Sequence, residues 1–193
     1  MGTEHTPPTR SVAELVTQLG RYAYGATPVV GLTPAQWTAL RYFSRANRFS
    51  RTVSAFAEFH ATTRGTASGT VKSLVQGSYL KRTPSSSDGR SARLDVTSKA
   101  RGVLSNDPFQ KLMRAADTLS TTAHRAVTKG LNRMLGELAQ DLDKPRFGVC
   151  TECKHLCGDG RCLQGQAPYQ CGLLNEPLAE PEIEQLCVNF ESS

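Results

Sequence analysis

The chain has 193 residues, 38% of them hydrophobic, with 23 Lys and Arg against 17 Asp and Glu for a formal charge of +6. Residues 1–149 carry 21 basic and 10 acidic groups and no cysteine, whereas residues 150–193 carry 2 basic and 7 acidic groups and all six cysteines. This asymmetry excludes one homogeneous domain and argues against a disulfide-stapled secreted miniprotein. No 18-residue apolar run is present to span a membrane, and the polar MGTEHTPPTR start is no secretory signal. The expectation is a cytoplasmic protein with no membrane partner.

Residues 1–10, rich in proline and threonine, are expected to be a flexible arm. From Ser11 the spacing turns helical, with Leu15, Leu19 and Tyr22 on one stripe, and Gly25 to Gly31 ends that helix. Thr33-Pro34-Ala35-Gln36 predicts the next helix: a hydroxyl cap, proline at the first position and a glutamine able to close a capping box. Trp37, Leu40 and Phe43 form its inner face. A short third helix fits Val53 to Phe59. A fourth is capped by Thr63, buries Val71, Leu74 and Val75, and stops at Gly77. Its other face reads Arg64, Gly65, Thr66, Ser68, Gly69 and Lys72, small, hydroxylic and cationic. Glycine costs roughly 1 kcal/mol relative to alanine inside a helix, so two of them there suggest close approach of something large.

Tyr79 to Arg82 reads as a short strand, Thr83 to Gly89 as a turn, and Ser91 to Val96 as a returning strand. A hairpin directly after a helix-turn-helix makes a wing. Helix resumes at Thr97 with an interruption at Pro108. Val127, Leu131, Met134, Leu135 and Leu138 then line one stripe, expected to be an interface or a bundle seam. Residues 41–101 hold 12 basic groups and only three acids, Glu58, Asp88 and Asp95. Charge of that density around a helix-turn-helix and wing points to a polyanion. Thr66, Ser68 and Lys72 are placed to donate to phosphates and base edges, and Arg90 to enter a narrow minor groove.

Asp88-Gly89-Arg90-Ser91-Ala92-Arg93-Leu94-Asp95-Val96-Thr97 resembles the wing signature of the MarR family of winged-helix transcription regulators. Thr63-Arg64-Gly65-Thr66-Ala67-Ser68 is similar to that family's recognition-helix start, and Tyr79-Leu80-Lys81-Arg82 to its first wing strand. The resemblance covers residues 10–145 and departs at His60-Ala61-Thr62 and at the two helix glycines. It implies a homodimer joined through the first and last helices on a palindromic double-stranded DNA operator. It also implies that Asp88 holds Arg90 while Arg90 contacts DNA. The expected DNA-binding residues are Thr63, Arg64, Thr66, Ser68, Lys72, Asp88, Arg90 and Arg93.

The tail reads Cys150-x2-Cys153-x3-Cys157-x4-Cys162-x8-Cys171-x15-Cys187. Disulfides suit a reducing compartment poorly. Cys150, Cys153, Cys157 and Cys162 are close enough in sequence for a structural zinc site, with His155 as a substitute ligand. Four thiolates also suit an iron–sulfur cluster, 4Fe-4S by choice. Cys150, Cys153, Cys171 and Cys187 give C-x2-C-x17-C-x15-C. That spacing resembles high-potential iron–sulfur proteins and the small cluster-bearing subunits of some glycyl-radical decarboxylases, and it favours the cluster with Cys157 and Cys162 as extras. A 44-residue tail with few large apolar groups needs such a centre to offset its chain entropy. Phe147, Tyr169 and Phe190 are either its shield or simply the tail's small core. The tail is expected to pack on the dimerisation helices or the flank of the wing domain.

The expected fold is mainly α: a winged helix-turn-helix with flanking dimerisation helices over residues 11–145, plus a small loop-rich metal-binding module over 146–193. The expected function is a DNA-binding repressor whose tail cluster senses redox state or iron. The alternative is a small-molecule-responsive regulator with a structural zinc tail and an effector near Tyr22, Tyr24, Trp37 and Tyr42, residues otherwise expected in the core. An enzyme is not expected, because His5, His60, His124 and His155 are scattered and no catalytic constellation stands out.

Overall fold

The computed structural model describes residues 7–24, 31–84, 92–158 and 167–193. Seven helices and seven short strands are described: α1 (Pro7–Tyr24), α2 (Pro34–Arg45), α3 (Val53–Phe59), α4 (Arg64–Gln76), β1 (Leu80–Pro84), β2 (Ala92–Val96), α5 (Ser98–Leu104), α6 (Gln110–Ala116), α7 (Thr121–Asp141), β3 (Gly148–Val149), β4 (Leu156–Gly158), β5 (Tyr169–Cys171), β6 (Glu176–Leu178) and β7 (Leu186–Cys187). None of the described helices is long and apolar enough to cross a membrane.

The caps stand where the sequence placed them. Thr33 accepts from the Gln36 amide at 3.3 Å while the Gln36 side chain takes the Thr33 amide at 2.8 Å, closing the capping box. Thr63 caps α4 and Gly77 ends it. Helix α1 starts at Pro7, inside the expected arm, because proline suits a first helical turn that has no amide partner. Ala61, at φ 47°, turns the chain between α3 and α4 in the left-handed region, where glycine is usual.

Trp37, Leu40, Tyr42 and Phe43 of α2 pack with Phe56 of α3, Val71 and Leu74 of α4, and Leu80 and Leu94 of the wing into one core. Tyr42 lies edge-on to Phe43 at 5.1 Å between ring centres. Trp37 and Tyr42 are thus core residues, as expected, whereas Tyr22 is 74% exposed. The side chain of Tyr24 lies outside the described residues. Strands β1 and β2 pair antiparallel, Leu80 opposite Val96 and Pro84 opposite Ala92.

The seam helices are the least buried part of the body. Val12, Leu15, Val16 and Leu19 of α1 are exposed, as are Val127, Leu131, Leu135 and Leu138 of α7. An apolar stripe at helical spacing that faces solvent on two helices is what an interface-forming surface looks like in one isolated chain.

The tail has its own small core of Cys150, Leu178 and Ile183, with Leu156, Tyr169 and Cys171 packed on it. Strands β4, β5 and β6 form a three-stranded antiparallel sheet, and β3 pairs with β7, Gly148 opposite Cys187. The tail docks on the segment between α2 and α3, on the flank of the wing domain. Leu186 pairs with Ala46 and joins the body's core, and Phe147 stacks edge-on to Phe59 at 5.2 Å. Of the proposed aromatic shield, Phe147 therefore belongs to the junction, and Tyr169 packs on the tail core. The ring of Phe190 covers Gly148.

Candidate nucleic-acid interface and cysteine centre

Helix α4 presents two faces because its apolar residues recur at helical spacing. Ala67, Val71 and Leu74 are buried, while Thr63, Arg64, Gly65, Thr66, Ser68, Gly69 and Lys72 are all exposed. The Thr63 and Thr66 hydroxyls lie 2.9 Å apart, and Thr63 also accepts the Thr66 amide at 3.2 Å. A Cβ added at Gly69 would meet nothing within 4 Å, so the gap is on the outer face and not in packing. The face is therefore open, hydroxylic and cationic. Lys81 and Arg82 continue it along β1 as exposed residues. Asp88 and Arg90 lie outside the described residues.

Several basic groups counted toward a polyanion surface are spent inside the fold. Arg41 pairs with Asp107, its Nε donating at 2.6 Å. Arg48 donates to Glu182 at 2.8 and 3.0 Å, to Glu176 at 3.3 Å and to the Pro177 carbonyl at 2.6 Å. Arg51 donates to Asp95 at 2.8 Å, and Arg93 Nε lies 3.6 Å from the same carboxylate. Arg93, expected on the DNA, is thus half-turned toward Asp95. Burial pushes the Asp95 carboxyl up, but hydrogen bonds from Thr83 and Arg51 and the charges of Arg93 and Arg51 outweigh it and hold the group below its usual 3.8. Among the described residues, Arg45, Arg64, Lys72, Lys81, Arg82, Lys99 and Arg101 stay exposed, fewer than the sequence count implied, and Arg64, Lys72, Lys81 and Arg82 are the ones on α4 and β1.

In the tail, the Cys150-x2-Cys153 turn closes on itself, the Cys153 amide donating to the Cys150 carbonyl at 3.0 Å. Pairing of β3 with β7 carries Cys187 to its side, and Cys171 packs on the core that contains Cys150. Cys150 and Cys187 are buried, at 7% and 6% exposure. Burial foremost, and then the charges of Cys187, Cys153, Cys171 and Glu182, together push the Cys150 thiol up to about 12. Cys150, Cys153, Cys171 and Cys187, the four expected ligands, therefore share one neighbourhood.

Cys157 pairs opposite Gln170, one residue out of phase with the Leu156–Cys171 pair. Strand alternation puts it on the other face of the sheet from Cys171. A Cβ on Gly172 would come within 3.2 Å of its sulfur. His155, the alternative ligand, holds Glu191 at 2.9 Å. Cys162 lies outside the described residues. Among the described residues, no group of three or more His, Cys, Asp or Glu is arranged to hold a metal ion, so neither the cluster nor the zinc alternative gains support from their arrangement.

Sequence reasoning missed the residues that join the two regions. Asn47 and Ser50, both fully buried polar residues, hold the flanks of Cys187. No local motif marks them, and Arg48 and Arg51 read only as positive charge. The one available signal was opposite charge at long range, basic 41–51 against acidic 176–184.

Residues 30–91 match the MarR family model. The fold is that of solved MarR-type regulators. The S. aureus MepR–DNA complex superposes with a TM-score of 0.57 at 16% identity, covering 71% of this chain and 99% of that one. A MarR protein from Peptoclostridium difficile gives 0.56 at 16% identity, covering 74% and 94%. Wild-type E. coli MarR in its apo form gives 0.53 at 17%, covering 68% and 99%. No curated protein matches the chain.

Proposed function

We propose that this chain is a dimeric winged-helix transcription regulator, a repressor, that reads a palindromic double-stranded operator through α4 and the wing. In this reading the C-terminal module holds an iron–sulfur cluster that reports redox state or iron supply. The observation that carries the DNA reading is the outer face of α4: seven exposed positions with no acidic residue, two of them glycines, on a fold shared with a protein solved on DNA. Phosphate contacts from Arg64, Lys72 and Lys81 set register, and the hydroxyls of Thr66 and Ser68 reach base edges. The exposed stripes of α1 and α7 supply the second copy. Two recognition helices must then sit about 34 Å apart, one turn of the duplex.

For the tail, four cysteines gathered on a core too small to hold 44 residues support a bound centre. When bound, the cluster supplies a redox-sensitive charge. Cys150, Cys153, Cys171 and Cys187 hold it, and the burial of Cys150 and Cys187 keeps water from two of the four sulfurs.

Selection of bound sequences from a random duplex pool tests the DNA reading. Enrichment of a two-fold symmetric site, with affinity that falls steeply with salt, supports it. Binding with no sequence preference at any salt concentration rejects it.

A further inference from the structure

Cys187 is gripped on both sides by the body. The Leu186 carbonyl accepts the Asn47 amide at 2.9 Å, and the Val188 amide donates to Ser50 Oγ at 2.8 Å. Ser50 Oγ in turn donates to Asn47 Oδ1 at 2.8 Å, and the Tyr42 hydroxyl donates to the Ser50 carbonyl at 2.6 Å. Both Asn47 and Ser50 have 0% exposure, so these bonds face no competition from water.

The next residue along holds the wing. The Arg51 carbonyl accepts the Leu94 amide of β2 at 2.9 Å. Its guanidinium donates to the Ala46 carbonyl and to Asp95, both at 2.8 Å. Asp95 also accepts from Thr83 of β1 at 2.8 Å, so one carboxylate ties both wing strands to the segment. Ser50 and Arg51 are adjacent in the chain, so a displacement of Ser50 bears on the bonds of Arg51 to the wing, and breaking one such buried hydrogen bond costs about 1–3 kcal/mol.

We propose that Asn47, Ser50 and Arg51 are positioning residues that transmit the state of Cys187 to the wing, so that the hairpin's seat on DNA follows the tail. This rests on reading the tail as a sensor and adds the route, which runs through the segment before α3 and not through the dimerisation helices. Coupling of this kind needs an element that both sites bias; here it is six residues long, with the cysteine on one edge and both wing strands on the other.

The test uses hydrogen exchange on the full chain, with iron content measured on the same samples. Two tail-side variants leave residues 46–51 unchanged. In Gly148→Ala the new Cβ would sit 2.6 Å from the Phe190 ring and force it away. In Glu182→Gln the carboxylate held by Arg48 is neutralised. Faster exchange at Val188 should be accompanied by exchange about tenfold faster at Leu94. Adding either change to Ser50→Ala should leave Leu94 as it is in Ser50→Ala alone. Leu94 unchanged while Val188 loosens overturns the proposal, as does a Leu94 response that persists without Ser50. Val188 staying protected in both variants overturns it too, because the segment then does not respond to the tail. Iron-free protein would sink the cluster reading while leaving the Leu94 result to decide the route.

Discussion

The two halves of this molecule solve the same problem with different means. The body buries Trp37, Leu40, Tyr42, Phe43 and Phe56 in one aromatic-rich core and closes its helices with hydroxyl caps. The tail gathers Leu178 and Ile183 around Cys150, with Leu156, Tyr169 and Cys171 packed on them, a smaller core. At about 25 cal/mol per Å² of apolar surface, the body's larger core contributes more by burial than the tail's. The tail also holds all six cysteines of the chain. In the proposed reading, the tail's stability depends on a bound centre, as the proposed sensing requires.

The largest expected effect separates the halves outright. Removal of the bound centre, by chelation or by Cys171→Ser or Cys187→Ser, should collapse hydrogen-exchange protection across 150–190 and spare α2 to α4. Free energies of metal-coupled folding are on the order of 10 kcal/mol. Cys157→Ser, on the other face of the sheet, should leave both metal and protection intact. Retained tail protection in Cys187→Ser would mean that the tail folds by burial after all.

Next comes the body's own core. Phe43→Ala should cost about 3–5 kcal/mol, read as a lowered midpoint in chemical denaturation, with metal content per folded chain unchanged. The seam is third: Leu135→Asp should give a monomer in sedimentation and weaken operator binding at least about tenfold, because each half-site alone loses its tethered partner. A dimer that survives the change would move the interface elsewhere.

Smaller effects probe the DNA face. Lys72→Ala and Arg90→Ala should each make the salt dependence of binding shallower by about one unit in slope. Arg48→Ala should not, since that guanidinium is held by Glu182 and Glu176. The smallest concerns acid. Because Asp95 is held below its usual 3.8, its contribution is complete above that value and is lost as pH falls through the lower folded value. Thermal stability of the body should drop below about pH 4, and Asp95→Asn should flatten that drop; an identical acid profile in the variant would show that the clamp contributes nothing.

The body was largely legible in the sequence, and the reason is local. Thr33, Thr63 and Gly77 are caps whose meaning lies within four residues, and Leu74 or Leu94 declare themselves by period. The stripe on α7 was legible too, and its Val127, Leu131, Leu135 and Leu138 are exposed, as an interface-forming face requires. Spacing alone led to Cys150, Cys153, Cys171 and Cys187 as the proposed ligand set. What was hidden is everything that needs two distant segments at once. Nothing near Asn47 or Ser50 announces a buried polar pair bonded to residues 186 and 188, and the charge count gave Arg48 and Arg51 to DNA when the fold gives them to Glu182 and Asp95. Docking of the tail on residues 46–50 is a tertiary choice with no short-range signature.

The central claim is that the tail holds an iron–sulfur centre to which DNA binding by the body responds. Anaerobic purification followed by metal analysis, an absorption spectrum and operator titration before and after oxidation tests it most directly. The account predicts about four irons per chain, absorbance at about 400 nm, and an operator affinity that changes on oxidation in the wild type and not in Ser50→Ala. Colourless, iron-free protein that binds its operator identically before and after oxidation would contradict it.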